Sequence, residues 1–303
     1  MMTLGHLALR CLYLPRLAAV RLRRGSVLRS ACVALLKLAL PYFRGTLATL
    51  PGGIRPLDYP ELSFTSTNSM VMEAVYWFGV QGYEGIVAQT WIDLCATSRS
   101  VLEVGGNVGL FTVLGARAAG GQYVAVEPVP EVAALLRGNV ERNGLAGRAQ
   151  ILQAAVIPGR TPAQVSLNVP REGRDAPVGA HLTVGSEVSG RSTDRTIVVD
   201  GLPFPALADG CDVIKIDAEG IEAELLESAF EQILRQRPAI LVEVLPEAVR
   251  LGALITDLAR RCGYTILVLP EYGSDQPVQI PADAFNAAVP ARYNSKDVLL
   301  RVM

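Results

Sequence analysis

A glycine-rich turn and two acidic residues carry the strongest chemical signal in this sequence. Residues 101–109 read VLEVGGNVG, in which Glu103 comes before a turn that begins at Gly105. Glycines in such a turn let the backbone approach a ligand closely. Glu127 follows 22 positions after Gly105, where a carboxylate can accept hydrogen bonds from both hydroxyls of a ribose. The ligand predicted by this spacing contains a nucleoside.

The acid before the turn narrows the choice of nucleoside. A dinucleotide fingerprint needs glycine at positions i, i+2 and i+5, and from Gly105 these are Asn107 and Leu110. Glu103 would repel a pyrophosphate, but it suits a cationic amine. An adenosine joined to an amino acid, S-adenosylmethionine (SAM), therefore fits best. An NAD(P)-dependent oxidoreductase is the alternative, which the missing glycine disfavours.

Three further carboxylates come at the ends of predicted strands and are candidate catalytic residues: Asp217, Glu219 and Glu243. Each also has a structural interpretation. Asp217 is a possible N-cap, Glu219 a residue favoured by the helix dipole, and Glu243 a member of an ion pair. Lys215 lies on the same strand face as Asp217, so we expect it to pair with a carboxylate there. The helix that follows is expected to present a solvated acidic face, formed by Glu222, Glu224, Glu227 and Glu231.

Alternating strand and helix patterns must position these groups. They predict an α/β, Rossmann-like fold with a seven-stranded, mostly parallel sheet and helices on both faces. Ligands of such sheets bind at the carboxyl ends of the strands. The predicted strands are Ser100–Gly105, Gln122–Glu127, Ala149–Val156, Asp212–Asp217, Ala239–Val244, Tyr264–Leu269 and Asp297–Val302.

The chain divides by charge into an arm and a body. Nine Arg or Lys residues and no acidic residue precede Asp58, whereas the remainder has ten more acidic than basic residues. Residues 1–57 are predicted to be a basic, amphipathic helical arm with a linker, and 58–303 the domain. Residues 158–200 break the rhythm and are expected to form an excursion on the acceptor side. The arm could pack on the body or a second subunit, lie on an anionic membrane, or serve as a partly disordered or targeting segment.

Composition excludes several classes. No apolar stretch approaches the roughly 20 residues that span a bilayer, and the acidic body offers no broad surface for nucleic acid. Five scattered cysteines without a C-x-x-C pair fit a reducing compartment. We therefore expect a cytoplasmic protein, or one peripheral to a membrane. No cluster of residues has metal-ligand spacing, so metal independence is predicted.

The sequence resembles the FkbM-type family of SAM-dependent methyltransferases over roughly residues 65–302. The matching stretches are Gly82-Tyr83-Glu84, VLEVGGNVGLFT (101–112), VAVEP (124–128), the pair Asn139 and Asn143, DVIKIDAEGIEAELLES (212–228) and ILVEV (240–244). The resemblance implies the class I methyltransferase fold, with SAM as cofactor. It departs at Leu245, where family members often have a histidine.

The resemblance also implies cofactor contacts, position by position. The methionine end would be lined by the first motif, at Glu103, Gly105, Gly106, Asn107 and Gly109. Glu127 would hold the ribose, followed by Pro128. The adenine would be bordered by Gln153, Ala154 and Ala155, and Tyr83 and Glu84 would close over the cofactor.

The function implied is O-methylation of a hydroxyl on a sugar, a glycan or a specialised small molecule. Two alternatives stay open at this point. One is a non-catalytic SAM-binding or scaffold protein, suggested by Leu245 and the basic arm. The other is a membrane-associated methyltransferase that acts on a lipid-linked glycan.

Overall fold

The structure, a computed structural model, describes residues 11–22, 26–170, 181–182, 195–270 and 276–302. Its strands are β1 (Ser100–Val104), β2 (Gln122–Val126), β3 (Ala149–Leu152), β4 (Ala155–Ile157), β5 (Ala163–Val169), β6 (His181–Leu182), β7 (Arg195–Pro203), β8 (Val213–Ile216), β9 (Ala239–Glu243), β10 (Thr265–Val268), β11 (Val278–Ile280) and β12 (Asp297–Arg301).

The main sheet has the order β11-β10-β12-β9-β8-β1-β2-β3. The five strands from β3 to β9 are mutually parallel, and β12 runs antiparallel between β9 and β10. The predicted mostly parallel α/β sheet is confirmed, but it has eight strands instead of seven because β11 adds an antiparallel edge strand. The chain leaves β1 toward β2 and later returns to β8 on its other side. This change of direction opens a crevice at the carboxyl ends of β1 and β8.

Helices cover both faces of the sheet. Adjacent residues of β1 show the alternation, since Val101 packs in one hydrophobic cluster and Leu102 in the other. The helices are α1 (Tyr13–Arg21), α2 (Val27–Leu47), α3 (Met70–Phe78), α4 (Val80–Ala96), α5 (Leu110–Ala118), α6 (Pro130–Arg142), α7 (Phe204–Leu207), α8 (Glu222–Ser228), α9 (Phe230–Gln236) and α10 (Val249–Cys262), with a 3₁₀ turn at Pro290–Tyr293.

The predicted third strand, Ala149–Val156, is two strands. β3 ends at Leu152, and β4 begins at Ala155 and pairs with β7 in a second sheet of order β4-β7-β5-β6. Part of the 158–200 excursion is thus a β-hairpin-like pairing of β5 with β7. Residues 171–180 and 183–194 of the excursion lie outside the described residues.

The basic arm contacts the body through α3. The guanidinium of Arg16 donates two hydrogen bonds to the carbonyl of Tyr76, at 2.7 and 3.0 Å, and lies over the Tyr76 ring. Phe43 of α2 packs on Trp77, with ring centroids 6.0 Å apart. These contacts agree with the first interpretation of the arm, packing on the body. The division at residues 57 and 58 stays a prediction.

Asn139 of α6 and Asn143, which follows the end of this helix, bind the segment before α3. The Asn139 amide accepts from Thr65 N–H at 2.7 Å and donates to the Val108 carbonyl at 2.7 Å. Asn143 exchanges two hydrogen bonds with the backbone of Ser63. The segment is therefore anchored to the helix that follows β2.

Among the described helices, none combines the length and apolar character needed to cross a membrane.

Candidate active site

A cleft of about 960 Å³, open to solvent, lies at the carboxyl ends of β1, β2, β8 and β9. Its polar side chains are Tyr83, Asn107, Glu127, Asp217, Glu219, Glu243 and Lys296. Its apolar wall includes Met70, Val71, Val129, Val132, Val156 and Leu167.

The turn after β1 forms the floor of this cleft. Gly105 has φ +83°, and a Cβ on it would overlap the carbonyl oxygen of Asp217. Its N–H and that of Gly106 donate to the carbonyl of Val126, at 3.0 and 3.1 Å. Only glycine fits this position, because both the backbone angle and the close approach exclude a side chain. The turn thereby draws the ends of β1, β2 and β8 together.

Glu127 is the buried carboxylate at the end of β2 in the cleft wall. Its Oε2 accepts from Asn107 N–H at 2.9 Å and its Oε1 accepts from Val129 N–H at 3.0 Å. Burial raises the pKa of Glu127 to about 7, although the two amide donors lower it. Each oxygen keeps further lone pairs. A buried carboxylate that faces a cleft in this way fits a pair of ribose hydroxyls as additional donors.

Glu103 does not lie on the cleft wall, so its expected contact with the methionine end is corrected. The side chain is buried, and its Oε2 accepts from the hydroxyls of Thr112 at 2.7 Å and Tyr123 at 2.6 Å. Burial raises the pKa of Glu103 to about 7, against the charge of Lys215 and those two hydroxyls. The Glu103 carboxylate therefore stabilises the interior behind the turn and does not face the cleft.

Gly106 and Gly109 also face away from the cleft. A Cβ at Gly106 would meet Leu136 of α6 at 2.5 Å, and one at Gly109 would meet the same side chain at 3.3 Å. Both glycines allow α6 to pack against the turn. Of the first motif, the residues on the cleft wall are Gly105 and Asn107, together with Val104.

The Tyr83-Glu84 pair is divided between the cleft and the protein interior. α4 is kinked at Glu84, whose φ and ψ are −130° and 56°. Tyr83 lines the cleft, whereas Glu84 is buried beside Lys296, with 3.7 Å between Oε1 and Nζ. Glu84 therefore contacts a residue of the cleft wall instead of the cleft itself.

The residues expected near the adenine are also divided. Pro128, Ala154 and Ala155 line the cleft. Gln153 is exposed, and its Oε1 accepts a hydrogen bond from Arg137 at 3.4 Å. The expected contact of Gln153 with the adenine is therefore wrong. The break between β3 and β4 sends Gln153 outward and Ala154 inward.

Asp217 and Lys215 form the ion pair expected from their spacing. Lys215 is buried, and its Nζ lies 3.0 Å from Asp217 Oδ2. Burial raises the pKa of Asp217, but Lys215 and then Lys296 outweigh it and hold the pKa below its usual value. The N-cap interpretation of Asp217 is wrong, because α8 begins at Glu222 and the side chain of Asp217 binds Lys215.

The loop between β8 and α8 is closed by Glu222. Its carboxylate accepts from the N–H groups of Ala218 at 2.9 Å and Gly220 at 3.1 Å, and burial raises its pKa to about 7. The expected solvated position of Glu222 is therefore wrong. Glu219 lies in the cleft wall with φ +54°, a conformation that this closed loop maintains.

Glu243 is bound to a lysine that the sequence did not reveal. Lys296 Nζ lies 2.6 Å from Glu243 Oε1, and both side chains are in the cleft wall. The neighbouring Asp297 pairs with Glu243 in the sheet register, and its buried Oδ2 has no hydrogen-bond partner among the described residues. Burial and then the charge of Glu84 raise the pKa of Asp297 well above its usual value.

Lys296 could not be recognised from a motif. It lies in the sequence NSKD, which is typical of an ordinary turn before a strand. Its place follows from the antiparallel pairing of β12 with β9, which brings residues 243 and 297 side by side.

No group of three metal-binding side chains is present in the described ranges.

The sheet order and the position of the cleft are those of the class I methyltransferase fold. The family described as "Methyltransferase FkbM domain" matches residues 103–266, just over half of the chain. The chain therefore belongs to the FkbM methyltransferase family. This membership decides against the NAD(P)-dependent oxidoreductase alternative.

Solved structures similar to this chain include methyltransferases from three bacteria. Methyltransferase FkbM from Methylobacillus flagellatus is 14% identical, with a TM-score of 0.41, over 88% of this chain and 60% of that one. An O-methyltransferase from Bacillus cereus in complex with SAH is 13% identical, with a TM-score of 0.35, over 88% and 89%. A putative O-methyltransferase from Klebsiella pneumoniae is 14% identical, with a TM-score of 0.34, over 93% and 92%. A comparison with curated proteins finds no match.

Proposed function

We propose that this enzyme methylates a hydroxyl oxygen of a sugar, a glycan or a specialised small molecule. The observation that carries the proposal is the pair of ion-paired carboxylates, Asp217 and Glu243, in the same cleft as the ribose-type acceptor Glu127. Hydroxyl groups donate to carboxylates, so these residues suit a neutral, hydroxyl-bearing acceptor.

We infer that the cofactor is held along the β1–β2 side of the cleft. Glu127 accepts from the ribose hydroxyls, Pro128 and Ala154 border the adenine, and Gly105 with Asn107 contacts the methionine end. When bound, SAM supplies the methyl group from its sulfonium. The protein supplies the geometry, because an acceptor held about 3–3.5 Å from the reacting carbon reacts as part of one molecule.

The carboxylates hold the acceptor hydroxyl and take its proton. Lys215 keeps Asp217 ionised, which suits a hydrogen-bond acceptor that orients the hydroxyl. Glu243 is the candidate proton acceptor, and Lys296 beside it stabilises its charge. A general base of this kind contributes about 10²–10⁴-fold to the rate.

Methyl transfer to a panel of acceptors tests this proposal. With labelled SAM, we expect transfer to hydroxyl-bearing sugars or related compounds, and loss of at least about 100-fold in kcat for Glu243→Gln. Asp217→Asn should raise KM for the acceptor more than it lowers SAM affinity. Glu247→Gln, an exposed position outside the cleft wall, is the matched control. Transfer only to nitrogen or carbon acceptors, or SAM binding without any transfer, would overturn the proposed reaction.

We propose a lipid-linked glycan as the second candidate acceptor. It is favoured by α3, which carries Tyr76 and Trp77 against the arm and Met70 and Val71 on the cleft wall. Nine helical residues extend about 13 Å, so the arm lies near the cleft. Comparing transfer to one glycan in free and lipid-linked forms would separate the candidates, since this one requires a preference for the lipid-linked form.

A further inference from the structure

Helix α2 is apolar on two opposite sides. On the inner side Leu36 and Leu47 are fully buried. On the outer side large apolar side chains remain exposed: Val27 by 87%, Leu28 by 61%, Leu35 by 47%, Leu38 by 74% and Tyr42 by 84%. The outer set is here called the outer stripe. Its exposure is unusual, because the inner side already supplies the packing that a surface helix needs.

The outer stripe is continuous along the helix. Positions 28, 35, 38 and 42 are separated by seven, three and four residues, which places them on one side of an α-helix. The exposed residues Ala31 and Ala34 lie between them on the same side. From Val27 to Tyr42 the stripe extends about 23 Å. A stripe of this length is long enough to contact a flat surface rather than a small ligand.

The charge of the arm indicates which kind of surface the outer stripe can contact. No acidic residue occurs before Asp58, and nine basic residues do. Helices α1 and α2 pack together as a helical hairpin, on which Arg21 and Lys37 are exposed. A helix with apolar residues on one side and basic residues beside them binds where apolar chains meet anionic groups.

We propose that the outer stripe of α2 docks on an anionic lipid bilayer, with its apolar side chains among the acyl chains and its basic residues at the headgroups. A second copy of the chain fits less well. Symmetric pairing of two outer stripes would bring two arms of the same positive charge together. Anionic headgroups instead supply the negative charge that the arm lacks.

This docking is independent of the reaction proposed for the cleft. It assigns the helical hairpin a function as a peripheral anchor, while the cleft keeps its chemistry with any acceptor. The hairpin lies against α3, which borders the cleft. Docking would therefore hold the cleft close to acceptors that reside in the membrane.

Flotation of the full chain with lipid vesicles tests the proposal. We expect flotation with vesicles that contain phosphatidylglycerol, little flotation with pure phosphatidylcholine, and a loss of binding as salt is raised. Leu38→Glu should lower partitioning by about tenfold or more, since it removes apolar contact and adds a negative charge. Lys37→Glu should lower it by a smaller factor.

Val249→Glu is the matched control, because Val249 is equally exposed at 73% but lies at the start of α10. SAH affinity of every variant reports that the fold is retained. Equal flotation of Leu38→Glu and Val249→Glu would overturn the proposal. So would absence of binding to anionic vesicles, or a concentration-dependent dimer that Leu38→Glu abolishes while flotation is unchanged.

Discussion

The two sides of the cleft are held in different ways. On the proposed cofactor side Glu127 accepts hydrogen bonds from the backbone N–H groups of Asn107 and Val129. On the proposed acceptor side Asp217 and Glu243 are each held by a lysine side chain, Lys215 at 3.0 Å and Lys296 at 2.6 Å. Backbone donors are unchanged by most substitutions, whereas a lysine can be replaced by mutation.

This difference suggests which side of the cleft is the same in related enzymes and which side can change with the acceptor. A side built from a turn and its amides can bind one cofactor in many proteins. A side built from ion pairs can change its charge and shape through a few side chains, and thereby its acceptor. The comparison predicts that the cofactor side is sensitive to backbone changes and the acceptor side to the loss of a cation.

The largest effect is expected for Gly105→Ala. The added Cβ would overlap the Asp217 carbonyl and require a side chain at φ +83°, so we expect a loss of about 3–5 kcal/mol in unfolding free energy. SAH binding should be lost as well. Gly144→Ala is the control, since it has φ +71° but no neighbour within 4 Å, and should cost about 1 kcal/mol. If denaturant unfolding gave both variants the same loss of unfolding free energy, the close approach of Gly105 to the Asp217 carbonyl would not be what requires glycine.

Lys215→Met should have the next largest effect. Lys215 is buried beside Asp217 and opposite Glu103 in the sheet register, so its removal leaves carboxylates without their cation. We expect a loss of about 3 kcal/mol in unfolding free energy at neutral pH. The loss should shrink at pH 5, where Glu103, with a pKa of about 7, is protonated. A loss independent of pH would show that packing of the lysine, not its charge, is what matters.

Lys296→Met tests the acceptor side with a smaller effect on stability. The lysine is about one-third exposed, so we expect a cost of about 1 kcal/mol or less. Turnover should fall while SAH affinity changes less than about threefold, because Glu243 loses its cation and the β1–β2 side is untouched. Lys296→Arg should restore part of the turnover. An equal loss of SAH affinity and turnover would erase the distinction between the two sides.

The sequence placed residues in the cleft more reliably at the ends of β8 and β9, where Asp217, Glu219 and Glu243 all line it, than near β1 and β2. Gly105 and Glu127 were correctly placed in the cleft because a turn and the strand after it are local features with a fixed spacing, and their contacts with SAM stay a prediction. Gly106 was assigned to the cleft because the sequence does not say which side of the turn meets α6. Glu103 was assigned to the cleft because the sequence does not show that Thr112 and Tyr123 bind its carboxylate in the interior. Lys296 was missed because its contact with Glu243 bridges 53 positions and depends on how β12 enters the sheet. The fold itself was predictable from alternation, apart from the edge strand β11 and the break at Gln153.

Calorimetric titration of SAH between pH 5.5 and 8.5 tests the central claim most directly, with wild type, Glu127→Gln and the control Glu243→Gln. The claim is that an ionised Glu127 holds the ribose. Because burial raises the pKa of Glu127 to about 7 in the free protein, wild-type affinity should rise from pH 5.5 and level off above pH 7, by up to about 30-fold. Glu127→Gln should bind at least about tenfold more weakly at pH 8, with a much smaller pH dependence, and Glu243→Gln should follow wild type. Wild-type affinity and pH dependence in Glu127→Gln would contradict the account.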